Sequence, residues 1–186
     1  MITTARLTLR RLIPADAPTM YAYRAMPEVA RYQGWVPATL EAVESFISEQ
    51  QAVVPDTPDT WCQLAITITA TGEMIGDLGL HFLDAESRTV ELGITLHPDH
   101  QGRGHAAEAM QAAFDYLFGT LGKHRIYGST DPRNQASLAL QRRAGMRQEA
   151  HLVESLRFKG EWADDVICAI LEREWRAGAS SPSKPL

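Results

Sequence analysis

The sequence predicts a single α+β domain in which helices flank an antiparallel sheet. Apolar and polar residues alternate in three successive segments, residues 62–69, 74–82 and 89–96, which is the period of a half-buried strand. Short connections join these segments and predict an antiparallel meander. The segments on either side have apolar residues three and four positions apart, as amphipathic helices do. A length of 186 residues with 45% hydrophobic residues suffices for one buried core.

The first part of the chain predicts one short strand and two helices. Residues 7–10 alternate in polarity and predict the strand. The prolines within residues 14–18 favour the start of a helix that continues through Tyr23. Thr39 precedes apolar residues at helical spacing, so a second helix is predicted to begin there and to end before Pro55.

The second half of the chain predicts two further helices and three further strands. Apolar residues at helical spacing predict a helix over residues 106–119, followed by a strand over residues 125–129. A helix is predicted over residues 134–145, since a glycine at its end is a common helix stop. Two closing strands are predicted at residues 146–152 and 163–171.

Composition limits the class of protein. We expect residues 1–176 to form one domain and the Ser- and Pro-rich residues 177–186 to be a flexible tail. A formal net charge of −5 argues against a broad nucleic-acid-binding face, which needs clustered Lys and Arg. Cys62 and Cys168 lie in strand-like segments and are expected to be buried, reduced thiols. No segment has the length of a membrane span, so we expect no membrane partner and a cytoplasmic location.

Gly102 and Gly104 lie where the third strand of the meander gives way to a helix. Free N–H groups and the positive end of the dipole make a helix start an anion site, and glycines let a diphosphate approach the backbone. Glycines in such a loop also serve merely to turn the chain. The spacing of these glycines and Ala107 fits the dinucleotide fingerprint formally, but that motif needs a βαβ unit and an acidic residue about 20 positions later. Tyr127 lies there instead, which makes a dehydrogenase a remote interpretation.

Residues 91–109 resemble the signature segment of the GNAT superfamily of N-acetyltransferases, and in particular its RimJ and RimL branch. The signature is Gln or Arg, two residues, Gly, one residue, then Gly or Ala, and Gln101, Gly104 and Ala106 match it. Further segments resemble the family in the same order, at residues 27–32, 131–137, 144–146 and 159–164. The resemblance covers residues 7–175.

The resemblance implies a GNAT-like mixed, mostly antiparallel twisted sheet of about six or seven strands flanked by helices, with a splayed central strand pair. It implies acetyl-coenzyme A as co-substrate, direct attack of an amine on the thioester, and no metal. The cofactor-binding residues that it implies lie on the third meander strand, in the glycine loop and at the start of the last helix: Ile94, Leu96, Gln101, Gly102, Arg103, Gly104, His105, Ala106, Asn134 and Ser137.

Ser137 and Glu91 are the candidate catalytic residues. Ser137 follows Asn134 by one helical turn, so both project from one edge of the helix, and the resemblance implies that Ser137 reaches the leaving thiol. A serine near a helix start also commonly bonds the local backbone. Glu91 lies on the polar face of its strand and could deprotonate the amine or form an ion pair across the sheet. A base is dispensable for an N-terminal amine, whose pKa is about 7.7 to 8.0.

Other polar residues near the loop have simpler interpretations. His97, His100 and His105, with Asp99, form a histidine-rich stretch, but their spacing matches no standard metal site. Glu108 lies one turn into the helix, where it complements the helix dipole or serves as a packing partner.

The family resemblance leaves several acceptors open. The RimJ and RimL resemblance implies the N-terminal α-amino group of a protein or peptide. The alternatives are a small amine, such as a polyamine, an antibiotic or an amino-acid derivative, and a non-catalytic module that binds acyl-coenzyme A. Members of the family often form homodimers, and the sequence leaves the oligomeric state open.

Overall fold

The structure is a computed structural model that describes residues 1–83 and 88–179. These residues form one eight-stranded sheet with the strand order β1-β2-β3-β4-β5-β6-β8-β7. The strands are β1 Ile2–Thr3, β2 Leu7–Arg11, β3 Thr60–Ile68, β4 Met74–Phe82, β5 Thr89–Leu96, β6 Arg125–Thr130, β7 Arg147–Phe158 and β8 Glu161–Leu171.

The helices connect and flank these strands. They are α1 Ala17–Arg24, α2 Pro27–Ala30, α3 Leu40–Ala52, α4 His105–Phe114, α5 Gln135–Arg143 and α6 Glu172–Ala179, and a π-helical turn, Asp115–Thr120, continues α4. The predicted start of α3 near Thr39 is confirmed, and the hydroxyl of Thr39 caps the helix by accepting a hydrogen bond of 3.3 Å from the N–H of Ala42. Gly145 follows α5 with φ +89°, a left-handed conformation that stops the helix.

The predicted α+β fold is confirmed, including the meander of β3, β4 and β5. The sheet has eight strands where six or seven were expected, because β1 adds a two-residue edge strand that carries no detectable period. β7 continues to Phe158, beyond the predicted end at residue 152, through an irregular register between Leu152 and Leu156. Residues 177–179 of the predicted tail belong to α6, and residues 180–186 lie outside the described residues.

The helices pack on both faces of the sheet. We call the face covered by α1 and α3 the α1 face, where Met20 and Val43 pack with Ala65 of β3. The other face is the α4 face, where Met110 of α4 and Leu138 of α5 join the larger core. Side chains alternate along a strand, so each central strand contributes to both cores.

A buried carboxylate ties α1 to the sheet. Asp77 of β4 is fully buried and accepts hydrogen bonds from Tyr23, Arg24 and Gln63. Burial, followed by the negative charge of Asp77, raises the pKa of Tyr23 well above its ordinary value, so its phenol remains a donor. Removal of either Arg24 or Asp77 would leave the charge of the other buried without a partner. This ion pair therefore holds α1 on its face of the sheet.

The predicted splayed strand pair is β5 and β6. They are parallel neighbours, but they pair only at Thr89, Val90 and Glu91, opposite Arg125, Ile126 and Tyr127. Beyond these three pairs the strands diverge, and the remaining residues of β5 have no partner on β6. The sheet is therefore open at its centre.

Cys62 and Cys168 are buried and free, as predicted. Burial raises the pKa of the Cys62 thiol, which keeps it protonated and unreactive.

No helix within residues 1–83 and 88–179 combines the length and the hydropathy that a membrane crossing requires.

Candidate active site

A cleft of about 950 Å³ lies where β5 and β6 diverge. Its walls include His105 and Met110 of α4, on one face of the sheet, and Glu28 and Tyr32, at α2 on the other side. The cleft therefore passes through the opening in the sheet. It can hold two reactants that enter from opposite faces.

The glycine loop supplies a row of unpaired backbone donors to this cleft. Among the described residues, the N–H groups of residues 102–107 donate to no acceptor, and the first N–H that does is that of Glu108, which donates to the carbonyl of Gly104 at 3.1 Å. Gly102 and Gly104 adopt φ of +70° and +80°, which other residues rarely do. Six consecutive free donors at the start of a ten-residue helix suit a diphosphate.

Glu108 and Arg6 hold this loop in place. The carboxylate of Glu108 accepts hydrogen bonds from Thr4 Oγ1 and Arg6 Nε, both at 2.6 Å, and the Arg6 guanidinium also donates to the carbonyl of Arg103 at 3.1 Å. Burial acts to raise the pKa of Glu108, but the hydrogen bonds from Thr4 and Arg6 outweigh it and lower that pKa. Glu108, for which the sequence predicted a dipole or packing role, is therefore hydrogen-bonded and ion-paired with the segment before β2, and Arg6 adds a positive charge beside the loop.

Gln101 is exposed but its side chain bonds back to β5, whereas the ring of His105 is buried. The Gln101 amide donates to the carbonyl of Leu96 at 3.0 Å, which closes the loop back on β5. The His105 ring is buried, with its centroid 6.1 Å from that of His100. Burial, and then the charges of Arg6 and His100, lower the pKa of His105, so the ring is neutral at physiological pH.

Ser137 and Asn134 line the cleft at the start of α5. Asn134 caps the helix, since its side-chain oxygen accepts from the Ser137 N–H at 3.1 Å. The Ser137 hydroxyl lies 3.3 Å from Thr130 Oγ1 and accepts from the Gln141 amide at 3.2 Å. Because Gln141 supplies the donor, the Ser137 proton is free to point to Thr130 or into the cleft.

The backbone of β5 forms the wall of the cleft beside α5. Ile94 and Leu96 line it, as do all residues from Leu92 to Leu96. Since β6 does not pair with this part of β5, one edge of the strand has backbone groups without a strand partner. Such an edge can hydrogen-bond an extended ligand as a neighbouring strand would.

Glu91 lies apart from the other predicted site residues. It is not among the residues that line the cleft, although Gly93, two positions along on the same face, is. Its carboxylate accepts a hydrogen bond of 3.0 Å from Tyr127 and lies 3.6 Å from His81 Nδ1. The structure therefore brings the loop, β5, Asn134 and Ser137 together, and places Glu91 at the end of the opening on the α1 face.

The side chains of the histidine-rich stretch each make contacts of their own. His97 accepts from the N–H of Asp99 at 3.2 Å, and His100 Nε2 lies 3.5 Å from Glu73. In the part of the chain that the structure describes, no group of three or more His, Cys, Asp or Glu side chains has the geometry of a metal site.

Several residues of the site carried no local signal in the sequence. Arg6 lies about a hundred positions from the loop that it supports, and Tyr127 meets Glu91 only through the parallel register of β5 and β6. Thr130 and Gln141 contact Ser137 only once α5 has packed on β6.

Comparison with known proteins identifies the family. Residues 6–147 match the family described as acetyltransferase (GNAT) domain. The Bacillus licheniformis protein named uncharacterized N-acetyltransferase p20 is 30% identical over 180 residues, which are 92% of this chain and 96% of that protein. The spermidine N(1)-acetyltransferase of Vibrio cholerae is 27% identical over 171 residues, which cover 92% of this chain and 96% of that enzyme.

The fold agrees with solved structures of the same family. The crystal structure of a GNAT-family acetyltransferase from Bacillus anthracis aligns with a TM-score of 0.84 and 25% identity, over 92% of this chain and 98% of that one. The unpaired donors of residues 102–107 and the glycines beside them fit the diphosphate of acetyl-coenzyme A, the acetyl donor of this family. The chain belongs to the GNAT acetyltransferase family and is an N-acetyltransferase that uses acetyl-coenzyme A.

Proposed function

We propose that the acceptor of this N-acetyltransferase is a small amine with more than one positive charge, of the polyamine type. The observation that carries this proposal is the cleft, which connects the anion-binding loop on the α4 face with the carboxylate of Glu28 on the other side of the sheet. The negative phosphates and the positive acceptor are then bound at opposite ends of one passage.

The charges at the acceptor end support a cationic substrate. Glu28 is exposed in the wall of the cleft and has no hydrogen-bond or ion-pair partner among the described residues. Asp131 also lines the cleft, but it is paired with Arg133 at 2.6 Å, and the hydrogen bonds from Arg133 lower its pKa. Glu28 is thus the carboxylate that is available to a second ammonium group, and the net charge of −5 favours the approach of a cation.

The relatives support the same acceptor class. The similarity to a spermidine acetyltransferase extends over 92% of this chain, so it includes the acceptor side as well as the loop. This support is independent of the charge argument.

The residues of the cleft have distinct roles in the proposed reaction. Acetyl-coenzyme A supplies the thioester when it is bound. The N–H groups of residues 102–107 hold its diphosphate, and backbone N–H groups of β5 near Ile94 and Leu96 stabilise negative charge on the carbonyl oxygen. Ser137 gives a proton to the departing thiolate and takes up the proton that the attacking nitrogen loses after it has bonded to the carbonyl carbon. Glu91, at the end of the opening, accepts the proton that the amine must lose before it attacks.

An N-terminal α-amino group is the second candidate acceptor. The resemblance of residues 91–109 to the RimJ and RimL branch favours it. Gly93 is exposed on the α1 face, so the end of a peptide chain could also approach the opening. This acceptor carries its charge at the reacting nitrogen and does not require Glu28.

The release of free thiol from acetyl-coenzyme A, measured with a panel of amines, tests the proposal. Spermidine and 1,4-diaminobutane are compared with n-butylamine, which has the same chain without the second charge, and with peptides that present a free N-terminus. We expect the highest kcat/KM with spermidine. A higher value with the peptides would replace the polyamine with the second candidate.

The variant Glu28→Gln tests the role of charge. It should raise KM for spermidine by about three- to fivefold, the size expected for an exposed ion pair, and leave KM for n-butylamine unchanged. Equal effects on the two amines would remove Glu28 from acceptor binding.

A further inference from the structure

Two glycines lie opposite each other at the centre of the sheet. Gly79 of β4 is the register partner of Gly93 of β5. Both lie on the α1 face, since Leu78 and Leu92 beside them belong to the core on the α4 face. Gly93 comes two positions after Glu91, the last residue of β5 that pairs with β6, and it lines the cleft.

The two glycines have different surroundings. A Cβ added to Gly79 would lie 2.8 Å from Gln63 Oε1 and 3.1 Å from a ring carbon of Trp61, so this position is already filled by neighbours. A Cβ added to Gly93 would meet no heavy atom of residues 1–83 and 88–179 within 4 Å. Gly93 has no left-handed φ either. Packing and backbone geometry therefore explain a glycine at position 79 and do not explain one at position 93.

The fold itself would be served better by another residue at position 93. A glycine inside a strand is less favourable than alanine, because it loses more conformational freedom on folding. The position lies in the middle of an eight-residue strand that is paired with β4 along its length. The open space above Gly93 is therefore a feature that stability does not require.

Trp61 lies over Gly79, next to this space. Trp61, His81, Glu91 and Tyr127 are register partners across four neighbouring strands, one row from Gly79 and Gly93. The indole stacks on the His81 ring at 4.6 Å with an angle of 12°, which fixes its orientation. Its ring edge covers Gly79, and adjacent strands lie about 4.8 Å apart, so a group above Gly93 would contact the indole.

We propose that Gly93 keeps open the path by which the acceptor amine reaches the reaction centre, and that Trp61 is the apolar wall of this path. The path leads from the α1 face, over Gly93, to the opening between β5 and β6. The carbon atoms next to the reacting nitrogen pass over Gly93 and pack on the indole edge, while the nitrogen faces the cleft. This inference rests on the proposed transfer to an amine, and it adds the residues that select the shape of the acceptor.

The path selects its acceptors by shape. A floor without a side chain admits an aliphatic carbon in van der Waals contact with the backbone, and an indole edge gains from contact with methylene groups. The acceptor class that fits is a primary amine on an unbranched aliphatic chain. A cation further along the chain would lie near the indole face and gain from it as well.

Substitution of Gly93 separates the effect on the acceptor from effects on folding. Gly93→Ala and Gly93→Val add side chains into open space, so the melting temperature should not fall, and acetyl-coenzyme A should bind with an unchanged Kd in calorimetry. KM for spermidine should rise with side-chain size, by roughly tenfold or more for valine, the order of discrimination that one or two methyl groups give in a fitted site. Gly178→Ala, in the exposed helix α6, is the matched control and should alter neither KM for spermidine nor the Kd of acetyl-coenzyme A.

The wall is tested by two substitutions of Trp61. Trp61→Ala should raise KM for spermidine several-fold without a change in the Kd of acetyl-coenzyme A, and Trp61→Phe should restore most of the loss. If Gly93→Val folds, binds acetyl-coenzyme A and acetylates spermidine with the original KM, the path does not run over Gly93. If Trp61→Ala leaves KM unchanged, the indole is not its wall. Absence of thiol release from the unaltered chain with every amine would overturn the proposed acceptor class itself, and this inference with it.

Discussion

The hydroxyl of Tyr127 donates a hydrogen bond of 3.0 Å to Oε2 of Glu91, across the last residue pair that joins β5 to β6. Burial, and then the charge and hydrogen bond of Glu91, raise the pKa of Tyr127 well above its ordinary value. The phenol therefore stays protonated throughout the range in which an amine acetyltransferase is assayed. This bond orients the carboxylate at the point where the two strands separate.

Glu91→Gln preserves the acceptor of this hydrogen bond and removes the base. We expect kcat/KM for a polyamine to fall by about tenfold at pH 7, and the deficit to shrink as the pH approaches about 10, where an alkylamine loses its proton to water. Tyr127→Phe retains the carboxylate but loses the bond that orients it, so kcat/KM should fall less than it does in Glu91→Gln. A pH profile of Glu91→Gln that coincides with that of the unaltered chain would show that Glu91 is not the base.

Ser137→Ala removes the proposed donor to the thiolate while Asn134 continues to cap α5. We expect kcat to fall by roughly ten- to a hundredfold, since one positioned proton donor contributes about this much or more. The Kd of acetyl-coenzyme A, measured by calorimetry, should not change. Ser45→Ala, at an exposed position of α3, serves as the control. An unchanged kcat would assign Ser137 a structural role beside Thr130 and Gln141.

Gly104→Val should abolish the binding of acetyl-coenzyme A. A branched side chain is strained at φ +80° and would stand among the free N–H groups that receive the diphosphate. Gly122→Val imposes similar strain, at φ +64°, in the loop before β6, where an added Cβ meets no atom of the described part of the chain within 4 Å. Calorimetric titration should therefore show normal binding for the Gly122 variant and none for the Gly104 variant. Equal binding by both would place the diphosphate elsewhere.

Glu108→Gln should lower the free energy of unfolding by about 1 to 2 kcal/mol at pH 7, a figure already reduced because Arg6 is half exposed. The folded-state pKa of Glu108 is lowered, so its contribution is complete above the ordinary pKa of about 4.3 and disappears as the pH falls through the lower value. Denaturant unfolding at several pH values measures the difference.

The surface pair Glu172–Arg176 provides the comparison for Glu108. Glu172→Gln should change the free energy of unfolding by less than about 0.5 kcal/mol, because that pair is solvent-exposed. A difference for Glu108→Gln that persists unchanged into strong acid would mean that its cause is packing rather than charge.

The sequence predicted those elements whose period is long and regular. β4 and β5 were predicted with their observed bounds, because eight or nine residues of alternation leave little ambiguity. β1 has two residues, too few for any period. α6 is mostly polar, and it is held by tertiary contacts such as that of Trp175 with Phe118, whose ring centroids lie 5.5 Å apart. No local sequence pattern predicts such contacts.

The site could be predicted from the sequence only where its residues lie in one continuous segment of the chain. The glycine loop combines residue type and position in the chain, so its conformation could be anticipated from Gly102 and Gly104. Arg6 and Tyr127 join the site through contacts between distant segments, which depend on strand register. The proposed role of Gly93 could not be predicted from the sequence, because it depends on the open space above this residue. That space is defined only once Trp61 has folded over Gly79.

Because only three residue pairs connect β5 to β6, binding of the acetyl donor should also change the rate of amide hydrogen exchange along β5. Amide hydrogens on the open edge of β5 are not held by a neighbouring strand, so they should exchange with deuterium oxide faster than those that bond to β4. A bound ligand arm that lies along this edge would slow them. Deuterium uptake near Leu96 would then report occupancy in the absence of any turnover.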